Sequence, residues 1–271
     1  MIELLKAVLI GIIQGITEWL PVSSTGHMIL LDELLHLDVN PDFREMFFVV
    51  IQLGSILAVL TLYFHKLNPF SRKKSGEEKK QTWILWLRVL IAAIPAAILG
   101  LLLDDWFDAH FYNYVVVAIA LVVYGVAFLL VERRNKRRSF RVTSVYDIDA
   151  KTALGIGAFQ CLSLIPGTSR SGSTILGSTL IGVSREAAAE FSFFLAIPVM
   201  LGASFLKLLK FGLAFTGAEL GILAAGVLTA FLVSVVAIRF LMGFVRSHTF
   251  APFGWYRIVL GAVVLLRFAL L

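Results

Sequence analysis

Apolar residues run almost unbroken through 45–64, 84–103, 114–131, 187–206, 218–238 and 253–271, and short polar or charged stretches separate the runs. A helix needs about 20 predominantly apolar residues to cross a bilayer's hydrocarbon core. The pattern therefore predicts an all-α polytopic membrane protein with about six transmembrane helices. Two further segments, 1–31 and 152–184, are apolar but broken. The first holds Gln14-Gly15-Ile16-Thr17-Glu18-Trp19-Leu20-Pro21-Val22-Ser23-Ser24-Thr25-Gly26-His27. The second holds Gln160-Cys161-Leu162-Ser163-Leu164-Ile165-Pro166-Gly167-Thr168-Ser169-Arg170-Ser171-Gly172-Ser173-Thr174. Pro and Gly both disfavour a helix interior. Each segment is accordingly predicted to be a re-entrant helical hairpin, broken over Pro21–Gly26 and at Pro166-Gly167.

Charge orients the path. Short cytoplasmic loops carry excess Lys and Arg. Lys66, Arg72, Lys73, Lys74, Lys79 and Lys80 fill 65–83, and Arg133, Arg134, Lys136, Arg137, Arg138, Arg141 and Lys151 fill 132–151. Between them Asp104-Asp105-Trp106-Phe107-Asp108 contains neither Lys nor Arg and reads as an external turn. External too is 32–44, with Asp32, Glu33, Asp38 and Asp42 against Arg44. Arg239 and Arg246 then fall in a cytoplasmic loop, whereas Lys207 and Lys210 fall outside, against the rule. The basic runs account for the net charge of +6 and read as orientation signals meeting anionic headgroups, not as nucleic-acid sites.

The path contains a repeat. Gln14 corresponds to Gln160, Gly26 to Gly172 and Glu45 to Glu190, at offsets of 146, 146 and 145 residues. The two halves enter from opposite faces, so the expected organisation is an inverted-topology repeat within one integral membrane domain, 1–271. Residues 1–131 form the first half, 152–271 the second, and 132–151 a basic cytoplasmic linker. Such repeats bring broken helices and polar loops together near the midplane. Composition agrees: 59% of residues are hydrophobic and 15% charged, against about 25% charged in soluble domains. The lone Cys161 excludes an internal disulfide.

Charges and hydrogen-bonding groups are costly in hydrocarbon, about 2.5–3.5 kcal/mol per charge even on the lenient insertion scale. The two polar stretches are therefore the candidate functional site. Arg170 offers a planar fork of donors that suits phosphate oxygens. Ser169, Ser171, Ser173 and Thr174 surround it, and Gly167 and Gly172 allow close backbone approach. This reads as a phosphate cradle, with pairing to Glu18 or Glu190 as the structural alternative. In the first stretch Glu18 follows Gln14 by one turn, and its carboxylate suits a divalent cation or a base. Ser24 is a candidate nucleophile, with His27 as its general base or acid. Ser23 and Thr25 are further substrate-binding candidates. Gln52 and Ser55 read as helix-packing groups, His36, His65, His110 and His248 as solvated, and Trp19, Trp83, Trp86, Trp106 and Trp255 mostly as an interfacial belt. No zinc spacing, dinucleotide loop or Walker-type loop occurs.

At these residues the sequence resembles the undecaprenyl-diphosphate phosphatase family of bacterial inner membranes, associated with bacitracin resistance. That family's (E/Q)xxxE motif stands here as Gln14-Gly15-Ile16-Thr17-Glu18, and its PGxSRSxxT motif as Pro166-Gly167-Thr168-Ser169-Arg170-Ser171-Gly172-Ser173-Thr174. The resemblance extends over nearly the full chain. It implies a hydrolase that releases the terminal phosphate of a C55 isoprenyl diphosphate, recycling the lipid carrier for peptidoglycan synthesis, in a multi-pass inner-membrane protein whose site opens to the outer face. It implies catalytic or diphosphate-binding roles for Glu18, Ser24, His27, Ser169, Arg170 and Thr174, with Gln14, Ser23, Thr25, Ser171 and Ser173 beside them. Gln at position 14 removes one carboxylate, so a cofactor Mg²⁺ or Ca²⁺ would rely on Glu18 and the diphosphate. Expected partners are the polyprenyl diphosphate, membrane lipids and a second copy in a homodimer, with no nucleic acid. The rival class is a transporter or flippase of a lipid phosphate or other anion, since inverted repeats with broken helices also mark secondary carriers.

Overall fold

A computed structural model describes residues 1–111, 113–136, 138–212 and 214–269, without the side chains of Ile29, Asp32, Glu33, Asp104, Asp105, Asp108 and Ala269. The charges assigned above to those five acidic residues and to Arg137 thus lie outside the described residues. The helices are α1 (Ile2–Thr17), α2 (Ser24–Leu35), α3 (Pro41–Val50), α4 (Gln52–Leu62), α5 (Phe64–Leu67), α6 (Gly76–Phe111), α7 (Tyr114–Asn135), α8 (Ala150–Cys161), α9 (Arg170–Leu180), α10 (Arg185–Phe211), α11 (Gly217–Ser247) and α12 (Ala251–Ala269). Among the described residues the extended backbone pairs only as an isolated bridge between Val142 and Val183.

The protein is an all-α polytopic membrane protein. Six stretches are long and apolar enough to cross a bilayer: Pro41–Leu62, Gly76–Leu103, Tyr114–Asn135, Arg185–Phe211, Gly217–Ser247 and Ala251–Phe268. Each overlaps one expected span. The first is two helices, α3 and α4, joined end to end at Ile51. Both polar stretches do break helices: α1 stops at Thr17 and α2 starts at Ser24, while α8 stops at Cys161 and α9 starts at Arg170.

Three boundary expectations are corrected. The stretch Asp104–Asp108 is not a turn, because α6 continues to Phe111. The chain turns just after it, where the Asn113 side chain accepts a hydrogen bond from the Val116 amide and caps α7. Arg239 and Arg246 lie in the last turns of α11 and not in a loop, and Lys79 and Lys80 lie at the start of α6. The reason is common to all three: at 1.5 Å per residue, a 31-residue helix such as α11 is about 46 Å long. It therefore carries its charged ends past the hydrocarbon without unwinding. Trp19 is the fourth correction, since it is fully buried and belongs to no interfacial belt.

Lys207, the apparent violation of the charge rule, pairs with Glu45. Its counterpart is Lys66, which pairs with Glu190 at 2.6 Å. The two glutamates that correspond in the sequence thus each bind a lysine from the other half. Helix contacts are crossed in the same way. α1 lies on α11 and α8 on α6, while α7 packs along α12 and α10 along α3 and α4. Small residues allow the approach: a Cβ on Gly11 would stand 2.7 Å from the Gly226 carbonyl oxygen, and one on Gly157 would collide with the Ala92 carbonyl. Close backbone contact through small residues is how membrane helices associate where lipid supplies no hydrophobic drive.

One further ion pair, partly buried, ties α7 to α10 and to the residue that precedes α12. Glu132 on α7 accepts hydrogen bonds from Arg185 Nε and Nη2 at 2.9 and 2.5 Å, and from the Phe250 amide at 3.0 Å. Gly157→Val is expected to separate α8 from α6 and to destabilise the protein by about 1–3 kcal/mol, the usual cost of overpacking. The check is a lowered thermal unfolding midpoint of purified protein in detergent.

Candidate active site

Both breaks are built around a serine in the left-handed region. Ser23 has φ +76° and Ser169 φ +72°, and the two lie at the same 146-residue offset as the polar motifs. Each side chain caps the helix that follows. Ser23 Oγ accepts from the Gly26 amide at 3.2 Å, and Ser169 Oγ from the Gly172 amide at 3.1 Å. Non-glycine residues held at positive φ cost on the order of 1–3 kcal/mol and concentrate at functional sites. Here the turn lets a broken helix restart, with the serine side chain capping its first turn.

Glu18 and Arg170 join those loops. Arg170 Nη2 donates to Glu18 Oε1 at 3.1 Å, and Gln14 Nε2 donates to Glu18 Oε2 at 2.8 Å. The Glu18 and Arg170 side chains are 6% and 10% exposed. Arg170 Nη1 donates to the Ser192 carbonyl at 2.8 Å, and its guanidinium lies 5.6 Å from the centre of the Trp19 ring. Of the two carboxylates considered as partners for Arg170, Glu18 takes the role and Glu190 is engaged with Lys66.

A second arginine, overlooked in the sequence, completes the junction. Arg257 on α12 is wholly buried. Its Nη1 donates to the Pro21 carbonyl at 3.3 Å, and its Nη2 to the carbonyls of Gly167 and Thr168 at 2.8 and 2.9 Å. Its guanidinium faces the Tyr124 ring at 5.3 Å. One side chain therefore ties the first break to the second, and no ion pair neutralises it among the described residues. The signal was present: the run 253–271 holds Arg257 as well as Arg267 near its end, and an arginine among apolar residues is costly enough in hydrocarbon to need a purpose.

The hydroxyls divide into two groups. Ser171 Oγ donates to the Leu20 carbonyl at 3.2 Å and lies 3.1 Å from Ser169 Oγ. Ser173 donates to the Tyr124 hydroxyl at 3.2 Å, and Thr174 Oγ1 lies 2.7 Å from Ser192 Oγ. These four are buried and spend their bonds on the framework. Ser24 and Thr25 are half-buried at the start of α2, and among the described residues neither side-chain hydroxyl takes part in a hydrogen bond. His27 does not bond to Ser24. Its Nδ1 lies 2.7 Å from the Ser23 carbonyl oxygen and its Nε2 lies 2.6 Å from the Tyr256 hydroxyl. Tyr256, Arg257, Tyr124 and Ser192 are the residues of this site that sequence reasoning missed.

The donor set does not make a protein-built metal cage. No group of three or more His, Cys, Asp or Glu side chains stands together among the described residues, and both Glu18 oxygens already accept hydrogen bonds. A divalent cation here would need oxygens from a ligand.

Comparison with known proteins gives the lineage. The family model described as bacitracin resistance protein BacA matches residues 7–263. The chain belongs to the BacA family. Among curated BacA relatives, one from Enterococcus faecalis named undecaprenyl-diphosphatase is 60% identical over 97% of this chain and 96% of its own length. One from Clostridioides difficile, named undecaprenyl-diphosphatase 1, is 58% identical over 100% of this chain and 98% of its own. One from Acetivibrio thermocellus, also named undecaprenyl-diphosphatase, is 56% identical over 99% and 98%.

Removing the carboxylate from this BacA-family site strands a buried arginine. Glu18→Ala is expected to cost about 3–5 kcal/mol, the penalty for an uncompensated buried charge. Glu18→Gln keeps an oxygen for Arg170 and should cost less. Thermal unfolding of the two variants in detergent checks the order.

Proposed function

We propose that this protein hydrolyses undecaprenyl diphosphate to undecaprenyl phosphate and inorganic phosphate, recycling the lipid carrier for peptidoglycan synthesis and conferring resistance to bacitracin. The observation that carries the reading is the charge at the loop junction. Arg170 is paired with Glu18, while the second buried arginine, Arg257, is hydrogen-bonded to backbone carbonyls alone among the described residues, so the site has a positive charge to offer a diphosphate inside an apolar protein. The full-length likeness to curated undecaprenyl-diphosphatases supports the same substrate.

The residues divide the work. Arg170 holds equatorial oxygens of the terminal phosphate, where charge spreads in phosphoryl transfer and where positioned cations act most strongly. Gln14 and Glu18 hold the guanidinium in place. The amides that open α2 and α9 favour an anion, as helix N-termini do. Ser24, with its hydroxyl free, attacks the terminal phosphorus. His27 manages the proton. Ser23 and Ser169 shape the two turns, Thr25 offers a second free hydroxyl to the substrate, and Ser171, Ser173 and Thr174 keep the cradle rigid. If a divalent cation takes part, Glu18 would be the carboxylate to hold it beside the diphosphate, and the cation would supply charge neutralisation there.

The arrangement in the membrane follows from the same reading. Residues 1–131 and 152–271 are the two halves of an inverted repeat, linked by 132–151. The segments 1–31 and 152–184 are re-entrant hairpins that meet near the midplane. The crossed pairs Glu45–Lys207 and Glu190–Lys66 support this organisation, since each glutamate binds the other half. The protein sits in the bacterial inner membrane, its basic segments lie in the cytoplasm, and the site opens outward to receive the diphosphate.

The test is phosphate release from an isoprenyl diphosphate by purified protein in detergent, where no sidedness exists. Wild-type protein should turn over, and Arg170→Ala should lose activity by 10³-fold or more while still eluting as folded protein, on the order of the loss for a transition-state cation. Absence of release by the wild type, with the lipid still bound, would favour a carrier and overturn the hydrolase.

A further inference from the structure

His27 has no free nitrogen. Its Nδ1 is 2.7 Å from the Ser23 carbonyl oxygen, which can only accept, so Nδ1 carries a hydrogen. In the neutral ring Nε2 is then the basic atom. That atom is 2.6 Å from the Tyr256 hydroxyl. The two rings are nearly parallel, at 6°, with centres 5.6 Å apart. The imidazole is thus held at both ends, by the strained turn of its own hairpin and by a tyrosine from α12. Its lone pair points at a phenol and not at Ser24, one turn earlier on the same helix.

A base in this position exchanges protons through whatever occupies its lone pair. A tyrosine hydroxyl that donates one hydrogen keeps lone pairs of its own and accepts another. Tyr256 is 47% exposed, whereas the other polar partners at the junction are buried. It also neighbours Arg257, which is pinned by three backbone carbonyls from the two breaks. The backbone that carries Tyr256 is therefore fixed relative to both loops, and the phenol is presented to His27 by a rigid support.

We propose that Tyr256 is the relay through which His27 gives and takes its proton in the reaction assigned above, on which this inference rests. As the nucleophile's oxygen bonds to the terminal phosphorus, its hydrogen passes to Tyr256 Oη while the tyrosine's own hydrogen passes to His27 Nε2. The tyrosine stays neutral and the histidine becomes imidazolium, with its Nδ1 hydrogen still on the Ser23 carbonyl. The bond between the terminal phosphorus and the bridging oxygen breaks, and the electron pair leaves with the lipid phosphate. The proton returns by the same path to that departing oxygen. The phosphoryl group then rests on the nucleophile's oxygen, and water, the co-reactant of the assigned hydrolysis, completes the cycle. Its oxygen bonds to phosphorus while its hydrogen passes by Tyr256 to His27; the bond from phosphorus to the nucleophile's oxygen breaks, the proton returns to that oxygen, and inorganic phosphate leaves.

The experiment compares wild type, Tyr256→Phe, His27→Ala and the double variant by phosphate release from an isoprenyl diphosphate in detergent. Phe keeps the ring against His27 and removes only the hydroxyl. Tyr256→Phe should lower kcat by about 100-fold, the low end for general acid–base catalysis, with KM within about twofold of wild type. The double variant should be no slower than the slower single variant, because both remove one path. Three results overturn the relay: kcat in Tyr256→Phe equal to or above wild type, a rise in KM alone, or losses that multiply in the double variant. A wild type that releases no phosphate defeats the assigned reaction itself. An active wild type beside an equally active Tyr256→Phe defeats the relay only.

Discussion

The bond between Glu18 and Arg170 is the constraint on which the site depends. Each residue belongs to a broken helix, and neither charge is tolerable alone in an apolar protein. Together they draw the end of α1 to the start of α9 across 152 residues of sequence. Everything else at the junction presupposes that meeting. Gln14 can bridge to the second carboxylate oxygen, Trp19 can cover the guanidinium, and Arg257 can reach carbonyls of both breaks only because the two loops are already side by side. Buried ion pairs are seldom a source of net stability. Their common use is to specify one arrangement over others, and here that arrangement is the site.

Around that pair the protein separates support from chemistry. The buried hydroxyls of Ser169, Ser171, Ser173 and Thr174 are committed to one another, to backbone or to Tyr124 and Ser192. The half-buried hydroxyls of Ser24 and Thr25 have no hydrogen-bond partner among the described residues. A phosphoryl-transfer site needs both, since its catalysis is mostly positioning and charge stabilisation with a free nucleophile in reach. The division also explains the two left-handed serines. A helix that must restart within a few residues needs one abrupt turn, and a serine there caps the new helix in the same step.

The spans were legible because hydrocarbon imposes a length and forbids charge. No competing rule blurred 45–64 or 114–131. Helix ends were less legible, since α6 and α11 simply continue into water with their charges, and no composition change marks the last turn. Candidate residues at Gln14, Glu18, Ser24, His27 and Arg170 were legible because polar groups inside apolar sequence stand out. Arg257 and Tyr256 obeyed the same rule but were lost in a run that otherwise read as one more span. Trp19 was misplaced because an aromatic beside a polar stretch looks interfacial until the second loop is known to cover it.

By itself the sequence determined that this chain crosses a membrane several times, that two polar breaks interrupt it at matching positions, and which chemical groups those breaks carry. These properties are local: they follow from the length of apolar runs and from the cost of each polar group among its neighbours in the chain. The tertiary structure alone decided who meets whom. It gave Arg170 to Glu18 and not to Glu190, filled both nitrogens of His27, and brought Arg257 from the last helix to hold two loops. Pairings of that kind depend on helix crossings set by packing at Gly11 and Gly157, and such crossings join residues whose separation along the chain carries no trace of the contact.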